Sequence, residues 1–306
     1  MHGLDCSFLF LFPVKFAAVL DLFGLSKLVF WLYFSLIGML AIGLVKIVGE
    51  VRTPQSGFDR FTTFGRLWFA IPLAVFGAEH LADAADVAEL VPRWMPGHLF
   101  WAYFVGFALV FAALSIVLKI QARLAATLLG IMFLSFVAMI HIPNIVAQPD
   151  RFFWAIGLRD LSFSGGAFAL AGSQRSSGSA NGKPLLVQLG RFFIAIPALF
   201  FGVEHFLHAA FVPGVPLGKL TPAWIPGRLF LAYFTGLVLL AAGACLLANK
   251  KARWAAGTLG ATILLLMLVV YLPMLIAAPT SVVAMNYFAD TLMFGGAVLV
   301  LADSLR

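Results

Sequence analysis

The chain has 306 residues, of which 62% are hydrophobic and 11% are charged, and its mean hydropathy is +1.03. Soluble domains carry about 25% charged residues, so this composition excludes both a water-soluble enzyme and a disordered chain. The net charge of +7 is typical of basic loops beside membrane spans rather than of a nucleic-acid-binding surface. We therefore expect an all-α, polytopic helical protein in a lipid bilayer, with no nucleic-acid partner.

The first 61 residues form an N-terminal extension. Within it, residues 29–49 are long and apolar enough to span a membrane. Residues 4–22 are also apolar but have Lys15 near their centre, so they predict either a further span or an interfacial helix whose lysine reaches the headgroups. No early basic region precedes them, so we do not expect a cleaved signal peptide.

An internal duplication accounts for the rest of the chain. Two pairs of matching segments are 125 positions apart: Gly65–Pro72 with Gly190–Pro197, and Phe76–His80 with Phe201–His205. The next loop is longer in the second copy, so later pairs are 130 positions apart: Trp94–Gly97 with Trp224–Gly227, and Asp160 with Asp290. We predict two four-helix repeats, 62–172 and 190–306, called the first and second half below. A Ser/Gly-rich linker, 173–189, joins them.

Each half contains four apolar stretches. The predicted spans are 66–83, 98–118, 123–146 and 154–171, then 191–208, 227–248, 253–276 and 285–302. An even number of spans per repeat places both halves in the same orientation, related by an axis along the membrane normal. With the N-terminal span the chain has nine predicted spans, or ten if residues 4–22 cross.

The orientation follows from the lysines and arginines near the predicted span ends. One side carries thirteen of them: Lys46, Arg52, Arg60, Arg66, Lys119, Arg123, Arg175, Lys183, Arg191, Lys250, Lys251, Arg253 and Arg306. The other carries five: Arg93, Arg151, Arg159, Lys219 and Arg228. This bias predicts a multi-pass protein of the cell membrane, a bacterial inner membrane, with the linker 173–189 in the cytoplasm.

Polar side chains recur at one predicted depth in all four helices of each half. At a rise of about 1.5 Å per residue, Glu79 lies about 20 Å along its helix from Arg66, and His141 lies about 27 Å from Arg123. The residues at this level are Glu79, His80, Tyr103, His141 and Asp160, then Glu204, His205, Tyr233, Tyr271 and Asp290. We predict that each half gathers its acid, imidazole and phenol groups into one ligand-binding pocket beneath the outer face.

Three interpretations of this polar layer remain open. The groups can simply hydrogen-bond across the helices and hold them together. They can form a binding or redox-coupled site, because a carboxylate beside an imidazole shares a proton near neutral pH. A metal site is the third interpretation, but adjacent residues such as Glu79 and His80 point about 100° apart on a helix, and Tyr271 replaces His141 in the second half. We therefore predict no metal.

Each half resembles the DoxX-like family of small four-helix membrane proteins, over about residues 62–303. The motifs that carry the resemblance are Arg66, Gly77, Glu79 and His80 with Arg191, Gly202, Glu204 and His205; Tyr103 and Gly106 with Tyr233 and Gly236; Ala122–Ala126 with Ala252–Ala256; and Asp160–Ala167 with Asp290–Ala297. The tandem fusion and the N-terminal extension depart from the usual single four-helix unit.

The resemblance implies a helper subunit linked to quinone or thiol redox systems, such as a subunit of a thiosulfate:quinone oxidoreductase. Direct dithiol exchange would need a Cys-x-x-Cys pair, which this sequence lacks. We therefore expect an accessory subunit that binds a small lipophilic or redox ligand, with quinone as the candidate cofactor and no stand-alone enzyme activity. The expected partner is a membrane oxidoreductase or a second copy of the chain. The alternatives are a small-solute or proton-coupled permease and a structural assembly factor.

Overall fold

The computed structural model describes residues 26–50, 56–174 and 185–306, and these ranges are mostly helical. The helices are α1 (Lys27–Glu50), α2 (Gly57–Thr63), α3 (Gly65–Ala82), α4 (Ala84–Ala88), α5 (His98–Leu118), α6 (Ala122–Phe136), α7 (Ile142–Ala147), α8 (Arg151–Ser173), α9 (Leu185–Leu207), α10 (Arg228–Leu247), α11 (Ala252–Leu266), α12 (Leu272–Ala277) and α13 (Val282–Ser304). The β contact in these ranges is an isolated bridge between Phe211 and Leu220. The predicted all-α fold is confirmed, while residues 4–22 and the middle of the linker lie outside the described residues.

Eight helical stretches of the described chain are long and apolar enough to cross a membrane. They are Lys27–Ile47, Gly57–Ala82, His98–Leu118, Ala122–Ala147, Leu185–Leu207, Arg228–Leu247, Ala252–Ala277 and Val282–Ser304. They correspond to eight of the nine predicted spans. The ninth lies in α8, which has 23 residues but is not among the eight. The hydropathy of α8 is lowered by Arg159, Asp160 and several small residues. An interior helix tolerates this composition because neighbouring helices cover it.

The two least exposed long helices, α8 and α13, contact each other at the centre of the bundle. Of the α13 span 78% is buried, against 22% of the α1 span at the periphery. In the first half α3 packs against α5 and against α13, and in the second half α9 packs against α10 and against α8. The first helix of each half therefore contacts the last helix of the other half.

Glycines allow these helices to approach closely. A Cβ atom built on Gly165 of α8 would lie 2.9 Å from the carbonyl oxygen of Gly190 in α9. A Cβ atom on Gly296 of α13 would collide with the backbone of Phe69 in α3. Small residues at such contacts are the usual means by which membrane helices pack, since lipid supplies no hydrophobic drive for their association.

A π-helical turn interrupts a long helix in each half. Val137–His141 joins α6 to α7, and Met267–Tyr271 joins α11 to α12. Pro143 and Pro273 follow these turns. Proline lacks a backbone N–H and would clash with the carbonyl four residues earlier, so a locally wider turn accommodates it. Each π turn ends on a residue of the predicted polar layer, either His141 or Tyr271.

Candidate functional site

Four ionisable side chains form one hydrogen-bonded chain inside the bundle, which we call the central ionic chain. They are His141, Arg159, Asp160 and Asp290. His141 Nε2 lies 2.8 Å from Asp160 Oδ2, and Arg159 Nε donates to Asp160 Oδ1 at 3.1 Å. Arg159 Nη1 donates to Asp290 Oδ2 at 2.9 Å. These bonds connect the π turn after α6 with α8 and α13, and so connect the two halves.

The central ionic chain is largely shielded from its surroundings. The side chains of Asp160 and Asp290 are each 8% exposed, that of His141 is 12% exposed and that of Arg159 is 20% exposed. Burying charges in a helical bundle costs on the order of several kcal/mol for each ion unless a partner offsets it. One guanidinium here faces two carboxylates. The arrangement can hold α8 against α13. Because two carboxylates share one guanidinium, either Asp160 or Asp290 can bind a proton.

Arg159 is the site residue that sequence reasoning placed incorrectly. It is counted above as a charge near the outer end of a span, but it lies within α8 and bonds Asp290 of α13. The side with fewer basic residues then retains Arg93, Arg151, Lys219 and Arg228. An adjacent Arg-Asp pair inside an apolar stretch is the signal that could have identified it, because such a pair is costly there without a structural or functional role.

The acidic site of the first half lies between α3 and α13. Glu79 Oε1 accepts a hydrogen bond from Asn286 Nδ2 at 2.8 Å, and Glu79 lies within electrostatic reach of Asp290 and Arg159. Asn286 Oδ1 is buried and accepts no hydrogen bond from the described residues. Sequence reasoning did not select Asn286, because its counterpart 130 residues earlier is Ile156 and the repeat pattern gives no signal for it.

His80 has a fixed tautomer. Its Nδ1 lies 2.8 Å from the backbone carbonyl oxygen of Phe76, one turn earlier in α3. A carbonyl oxygen only accepts, so Nδ1 carries the proton and, in the neutral imidazole, Nε2 is an acceptor. His205 makes the same contact to Phe201, at 2.5 Å, and therefore has the same tautomer.

In the second half, the loop between α9 and α10 (residues 208–227, the α9–α10 loop) covers the corresponding polar groups. Gly214 N donates to His205 Nε2 at 2.9 Å, and the Tyr271 hydroxyl donates to the carbonyl oxygen of Pro213 at 2.5 Å. Arg151 donates to Glu204 Oε2 at 2.7 Å and to the carbonyl oxygen of Pro216. The loop also buries the apolar side chains of Val212, Val215 and Leu217. The loop backbone thus bonds His205 and Tyr271, while Glu204 is paired with Arg151.

The first half has no equivalent cover among the described residues. Its shorter connection, residues 83–97, contains α4, and it exposes Leu90 and Trp94. As a result, Glu79 and His80 are both partly exposed, whereas Glu204 and His205 are 6% and 1% exposed. The five-residue difference between the loops therefore produces one closed site and one accessible site.

The remaining predicted site residues, Tyr103 and Tyr233, lie on the outside of the bundle. They are 42% and 46% exposed, and the ring of Tyr233 stacks on Phe206 with 5.7 Å between the ring centroids. The structure therefore brings His141, Asp160 and Asp290 together through Arg159, and places Glu79 beside Asn286. In the second half, His205 and Tyr271 both bond adjacent residues of the α9–α10 loop, and Arg151 joins Glu204 to it. In the first half, the phenol of Tyr103 does not join the acid and imidazole groups, because it lies on the outer surface.

In the described part of the protein, no metal-binding cluster lies at the central ionic chain, and two cavities lie elsewhere. Within the described ranges, no group of three or more His, Cys, Asp and Glu side chains is arranged to hold a metal ion. Two cavities of about 340 and 210 Å³ lie at the opposite end of the bundle, where α13 ends. The central ionic chain therefore lies well away from both cavities.

Comparisons of the chain with protein-family models, with curated proteins and with solved structures find no match. The class of the protein thus rests on its own fold. Eight helices with the length and hydropathy of membrane spans, packed around a buried ionic chain, define an all-α, multi-pass membrane protein in a lipid bilayer.

Proposed function

We propose that this protein is an accessory subunit of a membrane oxidoreductase, and that it binds one lipophilic ligand of the quinone class at the accessible site of its first half. Glu79 and His80 form this site, and Asn286 holds the Glu79 carboxylate from α13. The observation that carries the proposal is the contrast between the halves: the α9–α10 loop occupies the polar layer of the second half, whereas Glu79 and His80 remain partly exposed. The resemblance to the DoxX-like family supports the choice of ligand class.

The accessible site is rich in hydrogen-bond acceptors. His80 Nε2 and the Glu79 carboxylate both accept rather than donate. In the second half, the group that contacts the corresponding nitrogen of His205 is a donor, the N–H of Gly214. A matching ligand therefore presents a donor hydroxyl. A quinol has two hydroxyl groups and a quinone has none, so the site favours the reduced form.

The surroundings suit a ligand that arrives through the bilayer. His80 packs over Gly106 of α5, so its part of the site lies at the contact between α3 and α5, while Glu79 faces α13. The rings of Phe104, Phe107 and Phe111 are exposed on the side of α5 turned away from Gly106, so they form part of the apolar outer surface of the bundle. Small-molecule sites typically combine apolar surroundings with a few polar groups. The isoprenoid tail of the ligand would remain in the lipid outside the bundle while its ring reaches His80 and Glu79.

A binding titration on the full chain in nanodiscs tests the proposal. The probes are decylubiquinol, held reduced, and decylubiquinone, and bound molecules are counted by native mass spectrometry. We expect one decylubiquinol per chain, bound more tightly than decylubiquinone. Glu79→Gln and His80→Phe should each weaken quinol binding about tenfold, the effect of losing one hydrogen bond of roughly 1.4 kcal/mol.

The second half supplies the matched controls, Glu204→Gln and His205→Phe. These residues lie under the α9–α10 loop, so the substitutions should lower the melting temperature and leave quinol affinity unchanged. Equal losses of affinity from both pairs of substitutions would refute the assignment to the first half. Absence of binding of either probe to the wild-type chain would refute the ligand class.

A second candidate function is a proton-coupled permease, and the composition of the central ionic chain favours it. Asp160 and Asp290 share the single guanidinium of Arg159, and His141 extends the hydrogen-bonded path. Chains of acids and histidines within spans are typical of proton relays. Reconstituted liposomes with a pH gradient should then show proton flux that Asp290→Asn abolishes. Flux equal to that of empty liposomes would exclude this candidate.

The proposal includes an orientation of the chain in the membrane. We place the protein in a bacterial inner membrane with the linker 173–189 in the cytoplasm, since most lysines and arginines near span ends lie on that side. The accessible site is then in the outer half of the membrane. A cysteine introduced at position 178 of a cysteine-free variant should react with a membrane-impermeant maleimide only after the cells are opened, and labelling of intact cells would reverse the orientation.

A further inference from the structure

A cavity of about 210 Å³ lies at the end of the bundle opposite the accessible site. It lies where α5, α8 and α13 end and α3 begins. Three cationic side chains line it, those of Arg66, Lys119 and Arg306, against one carboxylate, that of Asp303. The lining therefore carries an excess of positive charge.

The Arg306 side of this cationic lining is held in place by hydrogen bonds. Arg306 donates to the hydroxyl groups of Thr62 and Thr63 at 3.3 and 3.1 Å, and to the carbonyl oxygen of Asp59 at 2.9 Å. It also forms an ion pair with Asp303 at 2.5 Å. Thr62 in turn donates to Asp303 at 3.1 Å. These bonds fix the position of Arg306, so little of its side-chain entropy would be lost when an anion binds.

The second half contains a related cavity of about 340 Å³ with a different charge. Arg191 and Asn249 line it, at the positions that correspond to Arg66 and Lys119. Arg191 is buried and donates to the carbonyl oxygens of Leu246 and Leu247 at the end of α10. The lysine of the first half is thus an asparagine here, so the lining of this cavity carries one cation.

We infer that the cavity around Arg66, Lys119 and Arg306 is a binding site for a phosphate-bearing anion, either the headgroup of an anionic phospholipid or a soluble phosphate. Arginine and lysine are the side chains that hold phosphate oxygens, and basic pockets between membrane helices at the headgroup level bind anionic lipids. The position at the ends of three long helices places the cavity at that level. The inference does not depend on the quinol site.

Lys119→Asn is the sharpest test, because the chain already has an asparagine at the corresponding position. Lys119 and Asn249 both adopt a left-handed backbone conformation, with φ of 58° and 52°, which asparagine tolerates. The variant should therefore fold normally. Lys250→Asn, in the corresponding loop of the second half but outside either cavity lining, is the matched control.

The measurement is native mass spectrometry of the full chain with dioleoylphosphatidylglycerol or dioleoylphosphatidylcholine, repeated with excess inorganic phosphate. We expect one tightly retained phosphatidylglycerol per chain, and about fivefold weaker retention in Lys119→Asn, the effect of one basic residue near a headgroup. Lys250→Asn should match the wild type. Competition by inorganic phosphate identifies a soluble phosphate as the anion, and no competition identifies the lipid. Equal retention of both lipids with no effect of phosphate, or equal losses in the two variants, would overturn the inference.

Discussion

Arg159 of α8 and Asp290 of α13 are joined by a 2.9 Å hydrogen bond across the centre of the bundle, and this bond links the last helices of the two halves. Asp160, next to Arg159 in the chain, accepts from the same guanidinium. In addition, α8 packs against α9, and α13 packs against α3. The bond therefore lies where the contacts of both halves meet. We expect it to stabilise the whole bundle.

A double-mutant cycle measures the strength of this link. Arg159→Leu leaves two buried carboxylates without their cation and should lower the free energy of unfolding by about 3–5 kcal/mol. Arg159→Leu with Asp290→Leu removes one of these carboxylates together with the guanidinium, so the double variant should be more stable than the sum of the single effects predicts, by about 1–3 kcal/mol. Unfolding in a detergent titration gives these values. Additive effects would show that the two side chains do not interact.

The α9–α10 loop should depend on the hydroxyl group of Tyr271. Tyr271→Phe removes the bond to the carbonyl oxygen of Pro213 and should cost about 1 kcal/mol of stability. Amide hydrogen exchange of Val212, Gly214, Val215 and Leu217 should become faster while that of α13 is unchanged. Tyr233→Phe is the control, because this side chain is on the outer surface. Unchanged exchange in the loop of Tyr271→Phe would mean that the loop is held by its apolar contacts alone.

Close packing of α3 on α13 should make Gly296 intolerant of larger residues. A Cβ atom there meets the backbone of Phe69, so Gly296→Val requires the helices to move apart. We expect a loss of about 1–3 kcal/mol or more, seen as a lower melting temperature and less folded protein in detergent. Gly38→Val in α1 should be nearly neutral, because nothing lies within 4 Å of the added atom. Equal melting temperatures for both variants would contradict the described contact.

The helices could be predicted from the sequence because each span is a long apolar stretch, and this signal is local. The packing partners of each helix could not be predicted from the sequence. The repeat pattern suggests two self-contained four-helix units, but whether α3 packs against α8 or α13 depends on side-chain fit between distant segments, such as Gly296 with Phe69. The same limit explains why the pairs Glu79–Asn286 and Arg151–Glu204 were not anticipated.

The residue types of the candidate site were recognisable because ionisable groups are rare in spans. His141, Asp160 and Asp290 were selected on that ground, and the structure joins them. Arg159 was missed because a basic residue near the end of a predicted span is counted as a topological signal. The closing of the second site was missed for a different reason: the sequence reveals a longer loop, but only the fold shows that Gly214 reaches His205.

An experimental structure of the full chain in nanodiscs with decylubiquinol, at a resolution that resolves side chains, tests the central claim most directly. The claim is that the first half presents an accessible polar site and that the second half closes its own. We expect density for one quinol ring beside Glu79 and His80, with Gly214 bonded to His205 beneath an ordered α9–α10 loop. Quinol density beside His205 with the loop displaced, or a chain with no quinol at either place, would contradict it.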